Sequence, residues 1–268
     1  MRCPAKVNLF LAVGKCDARG YHPVRTILQA VSLFDELEIS DETETTQILC
    51  ENFDLPPRNT IQKALSLLSE HALIPPLNIT LHKHIPSEAG LGGGSSDAAG
   101  VLRAINRFVK TPISLESQFE IARAIGVDTS FFLIGGRAFG EGYGEKLTPL
   151  EFQPMWFLLA KPLNVHGPTA EMYAKLDAIN YPFIEPDPAV LQLHNDFLQV
   201  APRECATLIE QLKASGASDA MLTGSGSAVF GIFESELSAK NAQQLIAKNP
   251  AIWSATAKAI TSEESLRI

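Results

Sequence analysis

Basic residues are in short supply in this chain: 22 Lys and Arg stand against 30 Asp and Glu, for a formal net charge of −8 at pH 7. Chains that bind nucleic acid carry a basic patch or stripe, so no nucleic-acid partner is expected. No run of 18 apolar residues occurs, which excludes a membrane-spanning helix. The apolar stretch 10–13, with Arg2 alone ahead of it, is too short for a secretory leader. A cytoplasmic protein with no membrane partner is therefore expected. The four cysteines, Cys3, Cys16, Cys50 and Cys205, are scattered and form no C-x-x-C. That pattern argues against a disulfide framework or a zinc site and for reduced thiols. His82 and His84 alternate along one strand face, yet no Cys, His or carboxylate lies at ligand spacing from them. No metal-ligating residue is expected, and there is no internal repeat or low-complexity tract.

What is abundant is glycine in one place. The segment Ile85-Pro86-Ser87-Glu88-Ala89-Gly90-Leu91-Gly92-Gly93-Gly94-Ser95-Ser96-Asp97 holds four glycines in five positions. A strand-like run, 77–81, leads into it. Helical spacing of Val101, Leu102, Ile105 and Phe108 follows over 98–108. The order is strand, glycine loop, helix. Glycines let the backbone approach a ligand closely, and Ser95, Ser96 and Asp97 are good N-cap residues for the helix. A helix start offers free N–H groups and partial positive charge, which suits phosphate. A Walker A loop would end in Gly-Lys-Ser/Thr, and no lysine follows these glycines. A dinucleotide fingerprint would need glycine where Ser95 or Asp97 stands.

The rest of the chain reads as an alternation of strands and helices. Residues 5–13 alternate as a strand, with Val7, Leu9 and Leu11 on one face and Asn8, Phe10 and Ala12 on the other. From that segment alone Lys6 reads as a solvated strand-end lysine. A turn over 14–22 follows, ending in Tyr21-His22, a pair able to stack on and hydrogen-bond a planar ring or to cap the loop. Residues 26–40 continue extended. An amphipathic helix spans 60–73, with Asn59 as its N-cap or as a pocket residue. A second helix covers 114–125. Asp128 then stands among Val127, Phe131 and Phe132, either as a helix cap or as a chemical group in a tuned environment. Two short strands follow at 138–143 and 146–150. Past Pro154 the expected order is a strand at 155–160, helices at 169–176, 191–200 and 204–214, strands at 219–222 and 227–233, a helix at 237–248 and a strand at 252–260. That order suggests a ferredoxin-like split βαβ domain.

Three segments together resemble the GHMP kinase superfamily of galactokinase, homoserine kinase and mevalonate kinase. They are Pro4-Ala5-Lys6-Val7-Asn8-Leu9, the glycine loop, and 222–230 with Thr223-Gly224-Ser225-Gly226-Ser227 at its centre. Within it, Gly20-Tyr21-His22, the lengthened glycine run, Gly126-Val127-Asp128 and Asn195-Asp196-Phe197 resemble the branch that phosphorylates a cytidyl alcohol. The resemblance implies a two-domain α+β fold. Its N-terminal domain, at 1–152, would be like that of a ribosomal protein, its C-terminal domain, at 153–268, ferredoxin-like, and the active site would lie in the cleft between them. It further implies a monomer or weak homodimer that uses ATP with Mg²⁺, the metal being held mainly by the nucleotide phosphates. Asp128 would be the base and Lys6 would hold the acceptor hydroxyl and the transferring phosphate. Asn8, Tyr21, His22, Gly224 and Ser225 would contact the substrate. Lys83, Pro86, Asn59 and the loop residues Gly90, Leu91, Gly92, Gly93, Gly94, Ser95 and Ser96 would contact the nucleotide. Ser87-Glu88 departs from the small pair usual after the proline.

Overall fold

The computed structural model describes residues 1–165 and 168–267. The N-terminal half begins with two long strands, β1 (Arg2–Val13) and β2 (Val24–Ser40), joined by a hairpin and paired antiparallel. To β2 are added β4 (Asn78–His82) and, beyond it, β3 (Gln47–Cys50), while β5 (Arg137–Glu141) and β6 (Lys146–Pro149) extend from its other end. Four helices cover one face: α1 (Thr60–Leu68), α2 (Gly93–Ala104), α3 (Leu115–Ile125) and α4 (Val127–Ile134). Their apolar stripes meet Leu28, Leu37, Ile79 and Leu81 of the sheet in one continuous core.

The C-terminal half carries a four-stranded antiparallel sheet of β7 (Trp156–Pro162), β9 (Asp219–Leu222), β10 (Val229–Phe233) and β11 (Ile252–Lys258), in the order β11-β7-β10-β9. That is the split βαβ order expected from the sequence. Helices α6 (Arg203–Ala214) and α7 (Glu236–Ile246) bury Leu208, Leu212, Ala239 and Ala242 against it. Helix α5 (Thr169–Asp177) stands at its margin.

The two sheets face each other. Ala5, Val7 and Leu9 of β1 pack with Phe157 and Leu159 of β7 and with Phe230 and Ile232 of β10. The halves are also interlocked. A two-strand pairing joins β8 (His194–Asn195) in parallel to β1, Val31 bridges Ala259, and in a last helix, α8 (Ser262–Leu266), the Ser265 hydroxyl accepts from the Gly136 N–H and the Ser265 carbonyl from the Arg103 guanidinium of the N-terminal half.

Three sequence expectations are corrected here. The strict alternation through residues 5–13 breaks at a bulge, where the β1–β2 register shifts between Asn8 and Phe10. An extra residue in one strand inverts the facing of everything after it. Leu9 and Phe10 therefore both enter the inter-sheet core, while Leu11 returns to the face that carries Lys6 and Asn8. Residues 191–200 are not a helix: they form β8 and a 3₁₀ turn at Asp196–Gln199, pinned by Asp196, whose carboxylate accepts from the backbone N–H of Val13 at 2.8 Å. The first helix stops at Leu68, with turns after it, short of the expected residue 73.

Phe230 has no solvent exposure, meets Phe157 of the neighbouring strand edge-on at 5.8 Å and lies in the core shared with β1 of the other sheet. Phe230→Ala is expected to cost about 3–5 kcal/mol, read as a lower urea midpoint with the slope unchanged. A loss below about 1 kcal/mol would mean that this interface contributes little to holding the halves together.

Candidate active site

The glycine loop is held by both halves of the fold. The N–H of Lys6 donates to the Leu91 carbonyl at 2.9 Å, and the N–H of Ala228 to the Ala89 carbonyl at 3.1 Å. The Thr223 hydroxyl donates to the Gly90 carbonyl at 3.2 Å. The turn between β9 and β10 thus sits directly on the loop. Gly90 has φ +73° and a Cβ there would stand 2.1 Å from the Thr223 carbonyl oxygen, so only glycine fits.

Helix α2 does not begin as the side chains suggested. It starts at Gly93, and its N-cap is Gly92, in the left-handed region at φ +75° with no side-chain cap. Ser95, Ser96 and Asp97 lie inside the first two turns. The free N–H groups of the helix start are therefore not consumed by a cap and remain available to an anion.

A cavity of about 450 Å³ lies over this start. It is lined by Pro86, Gly90, Leu91, Gly92, Gly93, Gly94 and Ser95, and across from them by Asn59 and Lys83. Asn59 serves both of its expected purposes: its side-chain oxygen caps α1, accepting from the Gln62 N–H at 2.9 Å, and it stands on the cavity wall. Ser96 is an exception. It has no solvent exposure, is absent from the cavity wall, and its hydroxyl oxygen has no partner. Helical rotation turns Ser96 into the core while leaving Ser95 outside.

Lys83 is not a free cation in this cavity. Its ammonium contacts Asp35 and is 2.9 Å from an Asp97 carboxylate oxygen, with all three groups nearly or wholly buried. Asp35 also accepts from the N–H groups of His84 and Ile85, at 2.6 and 2.8 Å. The triad joins β2, the end of β4 and α2 beneath the loop. Asp97 is pushed up to about 7: burial outweighs the Lys83 charge, and the Asp35 charge adds to the rise.

A second cavity, of about 520 Å³, adjoins the first. Glu88 and Gly90 line both. Its floor carries Lys6, Asn8 and Asp128. Lys6 is 2% exposed; its ammonium donates to the Asn8 side-chain oxygen at 2.6 Å and lies 3.2 Å from an Asp128 carboxylate oxygen. The solvated strand-end reading of Lys6 does not hold, because β1 runs through the middle of the molecule. Asp128 lies in the first turn of α4 without making a cap hydrogen bond; its carboxylate turns to Lys6. Asn8 is held from both sides: it donates to the Thr26 hydroxyl at 2.9 Å and accepts from the Gly224 N–H at 2.9 Å. Gly224 and Ser225 line the same cavity, with the Ser225 hydroxyl 3.0 Å from that of Thr169.

Tyr21 and His22 stand outside the wall of this cavity. Tyr21 is 62% exposed and its ring rests on Tyr143, centroids 5.6 Å apart. His22 is buried and stacks on Tyr173 at 4.6 Å. Tyr143, Tyr173 and Phe197 are the rings that line the cavity itself. The turn Gly142-Tyr143-Gly144 was the sequence signal that could have pointed to Tyr143, since an aromatic between two glycines in a β-turn has little local reason to be there.

Two cavities share a glycine hinge, one over a bare helix start and the other over a buried lysine–aspartate pair. That arrangement suits transfer of a phosphoryl group between a nucleotide and a second molecule. The family model described as GHMP kinases N terminal domain matches residues 59–136, and that described as GHMP kinases C terminal matches residues 187–251. The chain belongs to the GHMP kinases and is a kinase; membership implies use of ATP. Among curated relatives, the 4-diphosphocytidyl-2-C-methyl-D-erythritol kinase of Syntrophus aciditrophicus (strain SB) is 37% identical, covering 93% of this chain and 95% of its own length. The enzyme of the same name from Geobacter metallireducens is 36% identical, covering 94% and 95%. A solved 4-(cytidine 5'-diphospho)-2C-methyl-D-erythritol kinase superposes with TM-score 0.80 at 30% identity over 97% of this chain and 99% of that one. The mevalonate kinase of Methanococcus jannaschii, at TM-score 0.69 and 18% identity over 97% and 98% of the two chains, shares the fold.

The Asp97 carboxyl binds its proton more tightly in the folded protein than at its ordinary value of 3.8. Folding therefore takes up a proton between those values, and the stability this gives is lost as pH rises through about 7. Asp97→Asn leaves Lys83 paired with Asp35. In urea titrations the wild-type protein should gain stability relative to the variant as pH falls from about 8 to about 5. A difference that stays flat, or that grows the other way, would contradict the burial-driven rise.

Proposed function

We propose that this chain transfers the γ-phosphoryl group of ATP to the 2-hydroxyl of 4-diphosphocytidyl-2-C-methyl-D-erythritol. The observation that carries the reading is the Lys6–Asp128 pair, 3.2 Å apart on the floor of a cavity that opens onto the glycine loop. The relatives at 36–37% identity over nine-tenths of the chain are named as kinases of that alcohol.

In this reading Asp128 accepts the proton of the acceptor hydroxyl as it attacks, within hydrogen-bond reach. The Lys6 ammonium balances charge on the hydroxyl oxygen and on the transferring group. Asn8 keeps Lys6 in place through its oxygen, and the second hydrogen of its amide, on the cavity wall, would orient the substrate. The backbone N–H groups at Gly93, Gly94 and Ser95 would hold the nucleotide phosphates. The cradle fits that group: a Cβ on Gly93 would stand 3.1 Å from the Lys83 ammonium and one on Gly94 3.3 Å from the Thr60 hydroxyl, so side chains there would fill it. Asn59 and Pro86 would border the nucleoside. Mg²⁺ bound with ATP would neutralise phosphate charge. One oxygen each of Asp35 and Asp97 is paired with Lys83, and nucleotide oxygens and water would supply most of the metal's ligands.

Tyr143, Tyr173 and Phe197 would face the cytosine, with Tyr21 and His22 supporting Tyr143 and Tyr173 from behind. Gly224 and Ser225 would close the far side of the acceptor. The boundary near residue 152 remains our proposal for the division into two units, with β8 and α8 crossing back.

The test is turnover with ATP and a panel of alcohols. ADP release is expected with the cytidyl alcohol and not with homoserine or mevalonate; the converse pattern would assign another GHMP kinase activity. Asp128→Asn and Lys6→Met should each lower kcat by about 10²- to 10⁴-fold while nucleotide binding persists. Unchanged turnover in Asp128→Asn would remove that carboxylate from the reaction.

A further inference from the structure

At the opposite end of α4 from Asp128 lies a cavity of about 350 Å³ that shares no lining residue with the two described above. Its walls are mostly apolar: Leu133, Ile134, Pro149, Leu150, Phe152 and Leu266. Arg137, the first residue of β5, also lines it, and among the described residues no carboxylate does. Apolar walls around a few polar groups are the usual composition of a small-molecule site, and this volume lies at the small end of the usual range.

The state of the Arg137 guanidinium is the second observation. The residue is 4% exposed, and its Nε is buried without a partner. A guanidinium has five N–H donors; among the described residues this one makes a single hydrogen bond, a 3.5 Å approach to the Pro188 carbonyl. No carboxylate of the described residues stands within 4.0 Å of it. Burial pushes its pKa down, and no neighbouring charge opposes that. Other arginines of this fold are better served. Arg103 donates to the Ser265 and Arg2 carbonyls at 2.9 and 3.3 Å, and Arg25 meets Glu185 at 2.8 Å. Gln29, opposite Arg137 on β2, keeps a buried amide oxygen unpaired, but a neutral oxygen supplies no countercharge. The hydroxyls on the cavity wall are already used: that of Ser262 donates to the Ile134 carbonyl, and that of Thr261 accepts from the Glu264 N–H at 3.1 Å. A buried cation without a counterion is costly, and the guanidinium fork matches the oxygens of a carboxylate or phosphate.

We propose that this cavity binds an amphipathic organic anion, with its carboxylate or phosphate head on the Arg137 guanidinium and its apolar body along Leu150 and Phe152. The head supplies the missing countercharge and accepts from the guanidinium N–H groups. The body covers Phe152, which is 45% exposed, and so removes apolar surface from water. Neither half of the ligand suffices alone. A bare anion leaves the apolar walls wet, and a neutral alcohol leaves the charge unpaired.

Isothermal titration of the full-length protein tests this, with octyl phosphate and octanoate as probes and saturating ADP present to occupy the glycine-loop cavity. One equivalent should bind per chain, and the tighter of the two probes identifies the head group. Octan-1-ol and inorganic phosphate should each bind at least about tenfold more weakly. Arg137→Met should weaken the anion at least about tenfold while keeping the wild-type circular dichroism. Arg137→Lys should lose less, and Phe152→Ala, a change at the surface, should weaken both probes; these two carry the test if Arg137→Met does not fold. Affinity unchanged in the Arg137 variants would place the probe elsewhere, and octan-1-ol binding as tightly as octyl phosphate would reduce the site to apolar adsorption. Either result, or no binding of either anion, overturns the proposal.

Discussion

A lysine ammonium with almost no access to water dictates much of this architecture. An unpaired charge in such a place is costly, so Lys6 must be met by oxygen. Asn8, two positions along the same strand, supplies one, and Asp128 at the start of α4 supplies the other. Asn8 in turn is held by Thr26 of β2 and by the Gly224 N–H from the C-terminal half. One buried cation therefore ties together the first strand, the second strand, a helix from the middle of the chain and a turn from near its end. The β-bulge after Asn8 belongs to the same arrangement. It lets one strand present Lys6 and Asn8 to a cavity and still deliver Leu9 and Phe10 to the core between the sheets.

The glycine loop depends on that remote turn as well. Loops rich in glycine lose more conformational freedom on folding than other segments. This one recovers order through backbone hydrogen bonds to β1 and to the β9–β10 turn. The near contact of Gly90 with the Thr223–Gly224 backbone leaves no room for a side chain at Gly90 and little at Gly224. Beneath the loop, Asp35, Lys83 and Asp97 form a buried triad. Burial, with the Asp35 charge adding to it against the pull of Lys83, explains why the Asp97 carboxyl holds its proton to about 7. Lys83 is tied down by that triad, while the cavity above offers the backbone N–H groups of the helix start, with Arg58, Asn59 and Glu88 on its wall.

Aromatic residues on the larger cavity are arranged in two layers. Tyr143, Tyr173 and Phe197 form its lining, and Tyr21 and His22 stand behind two of them. Stacked rings support one another at modest energy, about 0.5–1.5 kcal/mol per pair. The hairpin that carries Tyr21 and His22 is thus mechanically coupled to the cavity wall through ring contacts, with the Tyr143 hydroxyl adding a hydrogen bond to Asp17 at 2.5 Å.

Local chemistry was enough to read the strand–glycine loop–helix unit, the helices expected at 114–125 and 237–248 and found at Leu115–Ile125 and Glu236–Ile246, and the split βαβ order of the C-terminal half, because periodicity acts between near neighbours. The three motif segments, met in order, were enough to imply the family. Position relative to distant chain was not legible. Lys6 looked solvated until β1 was seen to be central; Ser96 looked like a loop ligand until the helix was seen to begin three residues earlier. His22 and Asp177, far apart along the chain, come within 3.4 Å only when the hairpin closes on α5. Burial, register across a bulge and the meeting of remote side chains depend on how the two sheets pack, and that packing is decided by the sum of many weak apolar contacts that no short window of sequence contains.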